Sequence, residues 1–317
     1  MALILVTGST GFIGRYLAPR LEEDGHTVVG LTTQKCDGEN VVCDLTSPED
    51  VAAVVKTIDP DVIVHLAALS SVTLGMTLDY YRTNVVGTEN LFRAMDALNR
   101  KRRVIVVSTA GVYGNQPHEI LTEELRPLPV SHYGISKYAS ERVAATFGAR
   151  QDITIVRPFN IIGAGQNGSF IAPKLVDHFA RRASTIRLGN LDPVRDYIDV
   201  DTCCDILCRL IEQPAAIGAT VNLCSGKGIS VRQLLAAISE VSGHDIEPIA
   251  AKEFMRANEV FRLLGSTALL DQLVPVRMPV RPVKEVLGEM LSIESQKLEL
   301  AAKREKILAS PANAAVI

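Results

Sequence analysis

A glycine-punctuated turn near the start of the chain limits what the rest can fold into. Leu3-Ile4-Leu5-Val6 reads as a buried strand, Thr7-Gly8-Ser9-Thr10-Gly11 as a tight turn, and Phe12-Ile13-Gly14 as the entry to a helix. Gly8 can take backbone angles that a side chain forbids, which a sharp turn needs. Gly11 leaves room for a phosphate to reach the backbone, and Gly14 lets the helix lie close on the strand. The helix N-terminus then presents free N–H groups and a positive dipole end to a pyrophosphate. The G-x-x-G-x-x-G spacing is one residue wider at its start than the common dinucleotide pattern. Tight packing alone could place three glycines in such a turn. The apolar run just before them favours a cofactor site.

The following segments alternate in the same sense. His26–Leu31, Val41–Asp44, Asp61–Leu66, Arg103–Ser108 and Ile153–Val156 read as further strands. Helices are expected over Phe12–Asp24, from Ser47 onward with Ser47 as cap and Pro48 at the first helical position, over Leu78–Asn99 and over Tyr133–Ala149. Near-continuous apolar strands between helices predict an α/β fold, a doubly wound parallel sheet of Rossmann type covered on both faces. Ligands of such a sheet gather at the carboxyl ends of its strands. Beyond about Phe159 the pattern changes to a glycine-rich loop (163–168), a helix over Ile171–Arg182, and short elements to about Leu273. We read residues 1–158 as the dinucleotide-binding domain. Residues 159–317 are read as mainly a smaller C-terminal α/β substrate lobe, with some segments returning to the first domain. The tail after Pro311 is expected to be loose.

Composition narrows the function classes. The 317 residues are 47% hydrophobic and 22% charged, ordinary for a core-forming protein. A net charge of -3 gives no reason to expect nucleic acid or an anionic membrane as partner. The opening residues lack a basic region and run straight into the glycine turn, so they read as a strand and not a signal peptide. No apolar run reaches the length that spans a bilayer. The cysteines at 36, 43, 203, 204, 208 and 224 form no C-x-x-C pair and lie mostly in apolar surroundings, where free cysteine acts as a small hydrophobe. A metal site is not expected, and a reduced, cytoplasmic protein is.

The second strand ends Gly30-Leu31-Thr32-Thr33-Gln34-Lys35, with no acid to meet the adenosine ribose hydroxyls. Thr32, Thr33 and Lys35 can receive a 2′-phosphate instead. NADP is therefore slightly favoured over NAD. Asp44 and Leu45 are placed to meet the adenine, and Ala67-Ala68 after the fourth strand to line the pyrophosphate and ribose.

Tyr133-Gly134-Ile135-Ser136-Lys137 carries the second signal. The spacing puts Tyr133 and Lys137 on one helix face, one turn apart. A phenol near pKa 10 exchanges protons poorly at neutral pH. A neighbouring ammonium favours the phenolate and is expected to bring the tyrosine into a useful range. Ser108-Thr109 ends the fifth strand, where a hydroxyl would sit beside a reacting carbonyl.

Together these pieces resemble the extended short-chain dehydrogenase/reductase family of sugar-nucleotide epimerases, dehydratases and reductases. The motifs are T-G-x-x-G-F-I-G at 7–14, H-L-A-A at 65–68, S-T-A-x-V-Y-G at 108–114, Y-G-x-S-K at 133–137 and R-P-F-N at 157–160. The resemblance implies Tyr133 as acid/base, Lys137 as the residue that lowers its pKa and holds the nicotinamide ribose, and Thr109 as the active-site hydroxyl. It places the cofactor on Gly8, Thr10, Gly11, Phe12, Ile13 and Gly14, and further on Thr32, Asp44, Leu45, Leu66, Ala67, Ala68 and Pro158.

In the second lobe, Phe159–Gln166 resembles the F-N-x-x-G-P-G-Q segment of nucleotide-sugar enzymes, and Ile186–Asn190 the strand that meets the nucleoside base. Val194–Val200 resembles a segment whose arginine meets the diphosphate, and Arg256–Glu259 a late motif in which Ala257 replaces the family proline. Substrate contacts are therefore expected at Ser71, Asn160, Arg187, Arg195, Asn222, Arg256 and Glu259. Two arginines suit a diphosphate, because a guanidinium fork matches phosphate oxygens.

Family dehydratases carry an acid pair after the hydroxyl residue. This chain has Ala110-Gly111 there, which disfavours dehydration. The closest likeness is to GDP-4-keto-6-deoxy-D-mannose reductases, which implies NAD(P)H-dependent reduction of a nucleotide 4-keto-6-deoxysugar. A 4-epimerase holding NAD tightly and a non-catalytic dinucleotide-binding protein are the alternatives. Family dimers pair the two long helices into a four-helix bundle. Val85, Val86, Leu91, Phe92, Val143, Ala144 and Phe147 are compatible with such a homodimer and equally with facing the sheet.

Overall fold

The computed structural model of the chain describes residues 1–33, 40–70, 77–255 and 259–308. In chain order it contains β1 (Leu3–Thr7), α1 (Gly14–Glu23), β2 (Thr27–Thr32), β3 (Asn40–Val42), α2 (Pro48–Ile58) and β4 (Val62–His65). Next come α3 (Thr77–Tyr80), α4 (Gly87–Asp96), β5 (Arg103–Val107), α5 (His132–Ala145), β6 (Asp152–Pro158) and β7 (Asn160–Ile162). Then follow α6 (Ile171–Ala180), β8 (Thr185–Leu188), β9 (Val194–Asp199), α7 (Val200–Glu212), β10 (Thr220–Leu223) and β11 (Gly228–Ser230). The chain closes with α8 (Val231–Ser242), β12 (Glu247–Ala250), β13 (Arg262–Leu263), α9 (Ala268–Leu273) and α10 (Val283–Leu308).

The chain divides into two compact units. The first comprises Met1–Ile161, Val194–Gly228 and Val260–Val280; the second comprises Ile162–Pro193, Ile229–Glu259 and the chain from Arg281. The first unit is built on a seven-stranded sheet in the order β10-β6-β5-β4-β1-β2-β3, parallel at every pairing. The strand order reverses between β1 and β4, the position where a doubly wound sheet opens a crevice at its carboxyl edge. β1 and β4 are apolar and almost wholly buried, as strands covered on both faces must be. One face carries α1, α7 and α9, with Leu17, Leu21, Cys203, Cys204, Ile206 and Leu207 in its core. The other carries α2, α4 and α5, with Val51, Val55, Leu91, Phe92, Met95 and Ala144. β10, which the sequence pattern did not separate from its surroundings, adds the seventh strand by pairing with β6, Asn222 opposite Arg157.

One helix differs from its sequence expectation. The single helix expected over Leu78–Asn99 is α3 and α4 joined by a π-helical stretch, Tyr81–Val86. A π turn inserts extra backbone and rotates the following side chains, and here Asn84 sits in it, buried. Leu91, Phe92, Ala144 and Phe147, compatible with a dimer surface, are instead buried in the chain's own core, with Phe92 and Phe147 stacked at 5.2 Å. Val86 does face outward, as do Leu78 and Ile135 on α3 and α5.

In the second unit β8 and β12 pair in parallel, and α10 packs on α6 and α8. α10 runs through the charged stretch after Lys297. Among the described residues, no helix is long and apolar enough to cross a membrane, and no cluster of His, Cys, Asp or Glu has metal-binding geometry. Cys43, Cys203, Cys204, Cys208 and Cys224 are buried and free, with their thiols pushed up by burial. The residues after Pro311 lie outside those described.

Candidate active site

The glycine turn is shaped as its spacing demands. Gly8 has φ +71° and donates its N–H to the Leu31 carbonyl at 2.8 Å, locking the turn onto β2. A Cβ there would lie 2.9 Å from the Ala67 backbone. At Gly14 it would lie 2.5 Å from the carbonyls of Gly8 and Ser9, so α1 can begin only with glycine at this depth. At Gly11 a Cβ would meet only the Gly8 carbonyl, at 3.0 Å; its other side is open. That open, exposed backbone at the first turn of α1 fits the pyrophosphate of a dinucleotide. Phe12, Ile13 and Leu66 pack partly buried against the core. Pro158 ends β6.

The adenosine end differs in detail from the sequence expectation. Thr32 is buried, and its hydroxyl pairs with that of Thr10 at 3.2 Å. Thr33 is exposed, and Lys35 lies outside the described residues. Asp44 is exposed and accepts from the Thr46 N–H and hydroxyl, each at 2.8 Å. Leu45 is buried beneath Gly87, and its carbonyl accepts from Asn90.

At the β5 and α5 end the expected catalytic residues converge. Thr109 is extended (φ -161°, ψ 146°) and caps a short 3-10 turn, Ala110–Val112, by accepting the Gly111 N–H at 3.1 Å. The same hydroxyl shares a hydrogen bond with the Tyr133 phenol. Ser131 caps α5 by accepting from the Gly134 N–H at 3.1 Å. Tyr133 and Lys137 thus stand one turn apart on a capped helix. Lys137 is buried.

Charge at this pair is set by burial and by its hydrogen-bond and ionic neighbours. Burial pushes the Tyr133 phenol up to about 12, the Thr109 hydrogen bond pulls it down, and the Tyr80 phenol at a 6.2 Å ring distance pushes it up. Thr109 is therefore a group that draws the phenol down. Burial brings Lys137 down to about 8 against the opposing pull of Glu141.

Two further residues organise the site. The Ala67 N–H donates to the Thr7 hydroxyl (3.1 Å), which leaves that hydroxyl to donate to His65 Nδ1 (2.8 Å). His65 Nε2 then donates to Thr88 (2.9 Å), whose hydroxyl donates to the Asn84 carbonyl (2.5 Å). Burial, and secondarily Lys137, depresses the His65 pKa to about 3, so the ring is neutral, as this chain of bonds requires. The Asn84 side chain accepts from the Leu69 N–H (2.8 Å) and donates to Ser136 on α5 (3.0 Å). Neither residue was assigned a role; His65 opens the H-L-A-A motif at the end of an apolar strand, and Asn84 lies inside an expected helix.

The expected substrate residues are distributed over both units. Asn160 belongs to the first and donates to the Asp196 carbonyl at 3.1 Å. Arg195, also in the first, is partly buried and donates to the carbonyls of Val194 and Phe261. Arg187 and Glu259 belong to the second; Arg187 is exposed and pairs with Glu253 at 2.5 Å. Asn222 is a correction. It is fully buried, its Oδ1 accepts from the Tyr113 hydroxyl (2.7 Å), and its Nδ2 donates to the Leu121 carbonyl (2.9 Å). Its amide is spent on the fold. Ser71 and Arg256 lie outside the described residues.

A parallel sheet with a glycine turn at its switch point, and a hydroxyl, phenol and ammonium at the next strands' ends, defines a dinucleotide-dependent enzyme of the Rossmann class. The chain belongs to the NAD dependent epimerase/dehydratase family, whose profile matches residues 4–224, and so to the extended short-chain dehydrogenase/reductases. It is 40% identical to a GDP-6-deoxy-D-talose 4-dehydrogenase of Aggregatibacter actinomycetemcomitans, over 94% of this chain and 99% of that protein. It is 30% identical to a GDP-6-deoxy-D-mannose reductase of Pseudomonas aeruginosa, over 91% and 96%. Among solved structures, RMD from Pseudomonas aeruginosa complexed with NADPH matches with a TM-score of 0.82 at 27% identity, covering 94% of this chain and 100% of that one.

Proposed function

We propose that this protein reduces the C4 carbonyl of a nucleoside-diphosphate 4-keto-6-deoxyhexose, with GDP as the nucleotide and NAD(P)H as reductant. The observation that carries this reading is the Thr109 hydroxyl hydrogen-bonded to the Tyr133 phenol, one helix turn from buried Lys137, with no acid at the two positions that follow Thr109. A phenol so placed can give a proton to a carbonyl oxygen, and reduction needs no other acid. The 4-dehydrogenase and the reductase that this chain resembles both act on GDP-6-deoxysugars by name, which supports the substrate class.

In this reading Thr109 hydrogen-bonds the C4 oxygen and Tyr133 delivers the proton to it. Lys137 holds the nicotinamide ribose with its charged form. Hydride transfer to C4 is the chemistry that a reduced nicotinamide supplies when bound. The ketone gains one hydride and one proton and becomes the alcohol. No carboxylate follows Thr109, where Ala110 and Gly111 stand. Elimination of water therefore lacks its acid. Asn160, Arg187, Arg195, Arg256 and Glu259 are the residues proposed to meet the nucleotide sugar. The missing acid at the end of β2 favours NADPH over NADH. Exposed Leu78, Val86 and Ile135 are proposed to meet a second copy in a homodimer.

The test is NADPH oxidation with GDP- and dTDP-4-keto-6-deoxyhexoses, beside turnover of UDP-glucose without net cofactor change. We expect NADPH consumption with the GDP ketone. Redox-neutral epimerisation of UDP-glucose would establish the epimerase alternative, which the family description also admits. Tight dinucleotide binding with no turnover of any sugar would leave a binding protein.

A further inference from the structure

One buried ion pair behind the reacting residues plays no part in the scheme above. Glu141 lies one turn beyond Lys137 on α5, so Tyr133, Lys137 and Glu141 fall on one helix face at successive four-residue steps. Glu141 and Arg157 are nearly solvent-free, with side chains 3% and 6% exposed. Arg157, on β6, clasps the carboxylate with two bonds, Nε to Oε1 at 2.9 Å and Nη2 to Oε2 at 2.7 Å. Its guanidinium also lies 4.9 Å from the centre of the Tyr113 ring, and its Nη1 is buried with no hydrogen-bond partner. A planar, always-charged fork held this way cannot swing to another acid. It fixes the carboxylate in one place.

We propose that Glu141, held by Arg157, is the positioning counter-charge that keeps Lys137 an ammonium inside the protein. A buried ammonium loses its hydration, and the loss favours the neutral amine. Something must oppose that loss if Lys137 is to carry charge at the ribose. Glu141 is the acid that pulls Lys137 toward the charged form. Among the described residues of the elements packed around α5, Asp79 is half-buried and Glu89 is paired at the surface, whereas Glu141 is nearly solvent-free. β4 brings His65, which is neutral, and β6 brings Arg157, which is cationic and clasped. α3 brings Tyr80 and Asp79, the π turn brings Asn84 and exposed Arg82, and on α4 Glu89 pairs with Arg93 at the surface. Arg157 also sets a limit. Its positive charge opposes that of Glu141, so its removal is expected to strengthen the pull of Glu141 on Lys137. This positioning role rests on Tyr133 and Lys137 being the reacting pair, but the charge of Lys137 can be read without any substrate.

The experiment is an NMR titration of the Lys137 side chain in lysine-13Cε-labelled protein, assigned with Lys137→Arg, alongside the pH profile of kcat/KM. In the parent protein we expect a midpoint of about 8. Glu141→Gln is expected to move it down by about one pH unit and to move the alkaline limb of activity with it. Glu141→Asp keeps the charge and leaves the midpoint near the parent value. Arg157→Gln has the opposite sign: it frees the carboxylate for Lys137 and raises the midpoint, which keeps the test usable if Glu141→Gln fails to fold. Identical midpoints in folded Glu141→Gln, Arg157→Gln and parent proteins would overturn the proposal. A midpoint that moves while Tyr133→Phe retains activity would uphold the counter-charge and sink the assignment of the reacting pair instead.

Discussion

The carboxyl edge of the sheet in the first unit and the outer strand of the second unit handle charge in opposite ways. At the sheet edge His65, Lys137 and Glu141 are buried and their neighbours determine their state. Burial keeps His65 neutral, and Lys137 is drawn down by burial against the pull of Glu141. Around β8 the charges stay in water. Arg187 pairs with Glu253, both well exposed, and Lys174 lies 3.9 Å from the centre of the Phe254 ring while donating to the Arg187 carbonyl. Exposed pairs of that sort contribute little to stability and are easily exchanged for a ligand's charges. In the proposed scheme the chemistry sits where reorganisation is costly, and recognition where it is cheap.

That contrast breaks first if the proton donor is misassigned. Tyr133→Phe is expected to lower turnover by about 10²- to 10⁴-fold with dinucleotide affinity nearly intact, by steady-state kinetics and fluorescence titration. Next, Arg195→Ala is expected to raise KM for the nucleotide sugar by about 10- to 100-fold with kcat little changed, and Arg187→Ala to do the same more weakly. A large loss of kcat in either would erase the division between chemistry and recognition.

Glycines give a stability version of the comparison. Gly14→Ala forces a Cβ to 2.5 Å from two carbonyls and is expected to cost about 1–3 kcal/mol in urea unfolding, with weaker dinucleotide binding. Gly168→Ala, in the second unit with nothing within 4 Å, is expected to change neither. A further effect concerns acid. The folded pKa of His65, about 3, lies below its ordinary value of 6.5, so the unfolded chain binds the extra proton. Its contribution is intact above pH 6.5 and is lost as pH falls toward 3. The slope of thermal stability against pH in that window should flatten in His65→Asn; an unchanged slope would show that the ring does not titrate on unfolding.

The parts legible in the sequence were those with a local cause. Gly8 and Gly14 announce their turn through spacing, and Tyr133 and Lys137 share a helix face by arithmetic. Ser47 was legible as a cap, and its hydroxyl accepts the Asp50 N–H. What stayed hidden depends on the third dimension. The π turn that buries Asn84 follows no apolar period. Asn222 resembles a substrate ligand until its amide is seen spent on Tyr113 and Leu121. Leu91 and Ala144 suit a dimer face or a core equally well, and only packing decides between them. Arg157 did leave a trace: a charge at the end of the apolar run Ile153-Thr154-Ile155-Val156 needs a buried partner, and Glu141 is four residues past Lys137.

The central claim is that hydride enters the sugar at C4 while Tyr133 supplies the proton. It is tested most directly by a single turnover of GDP-4-keto-6-deoxyhexose with nicotinamide-deuterated NADPH, followed by mass spectrometry and NMR of the sugar product. We expect one deuterium in the product, located at C4, and none in the sugar from Tyr133→Phe over the same time. A C4 hydroxyl that forms without deuterium, or deuterium transferred equally well by Tyr133→Phe, would contradict it.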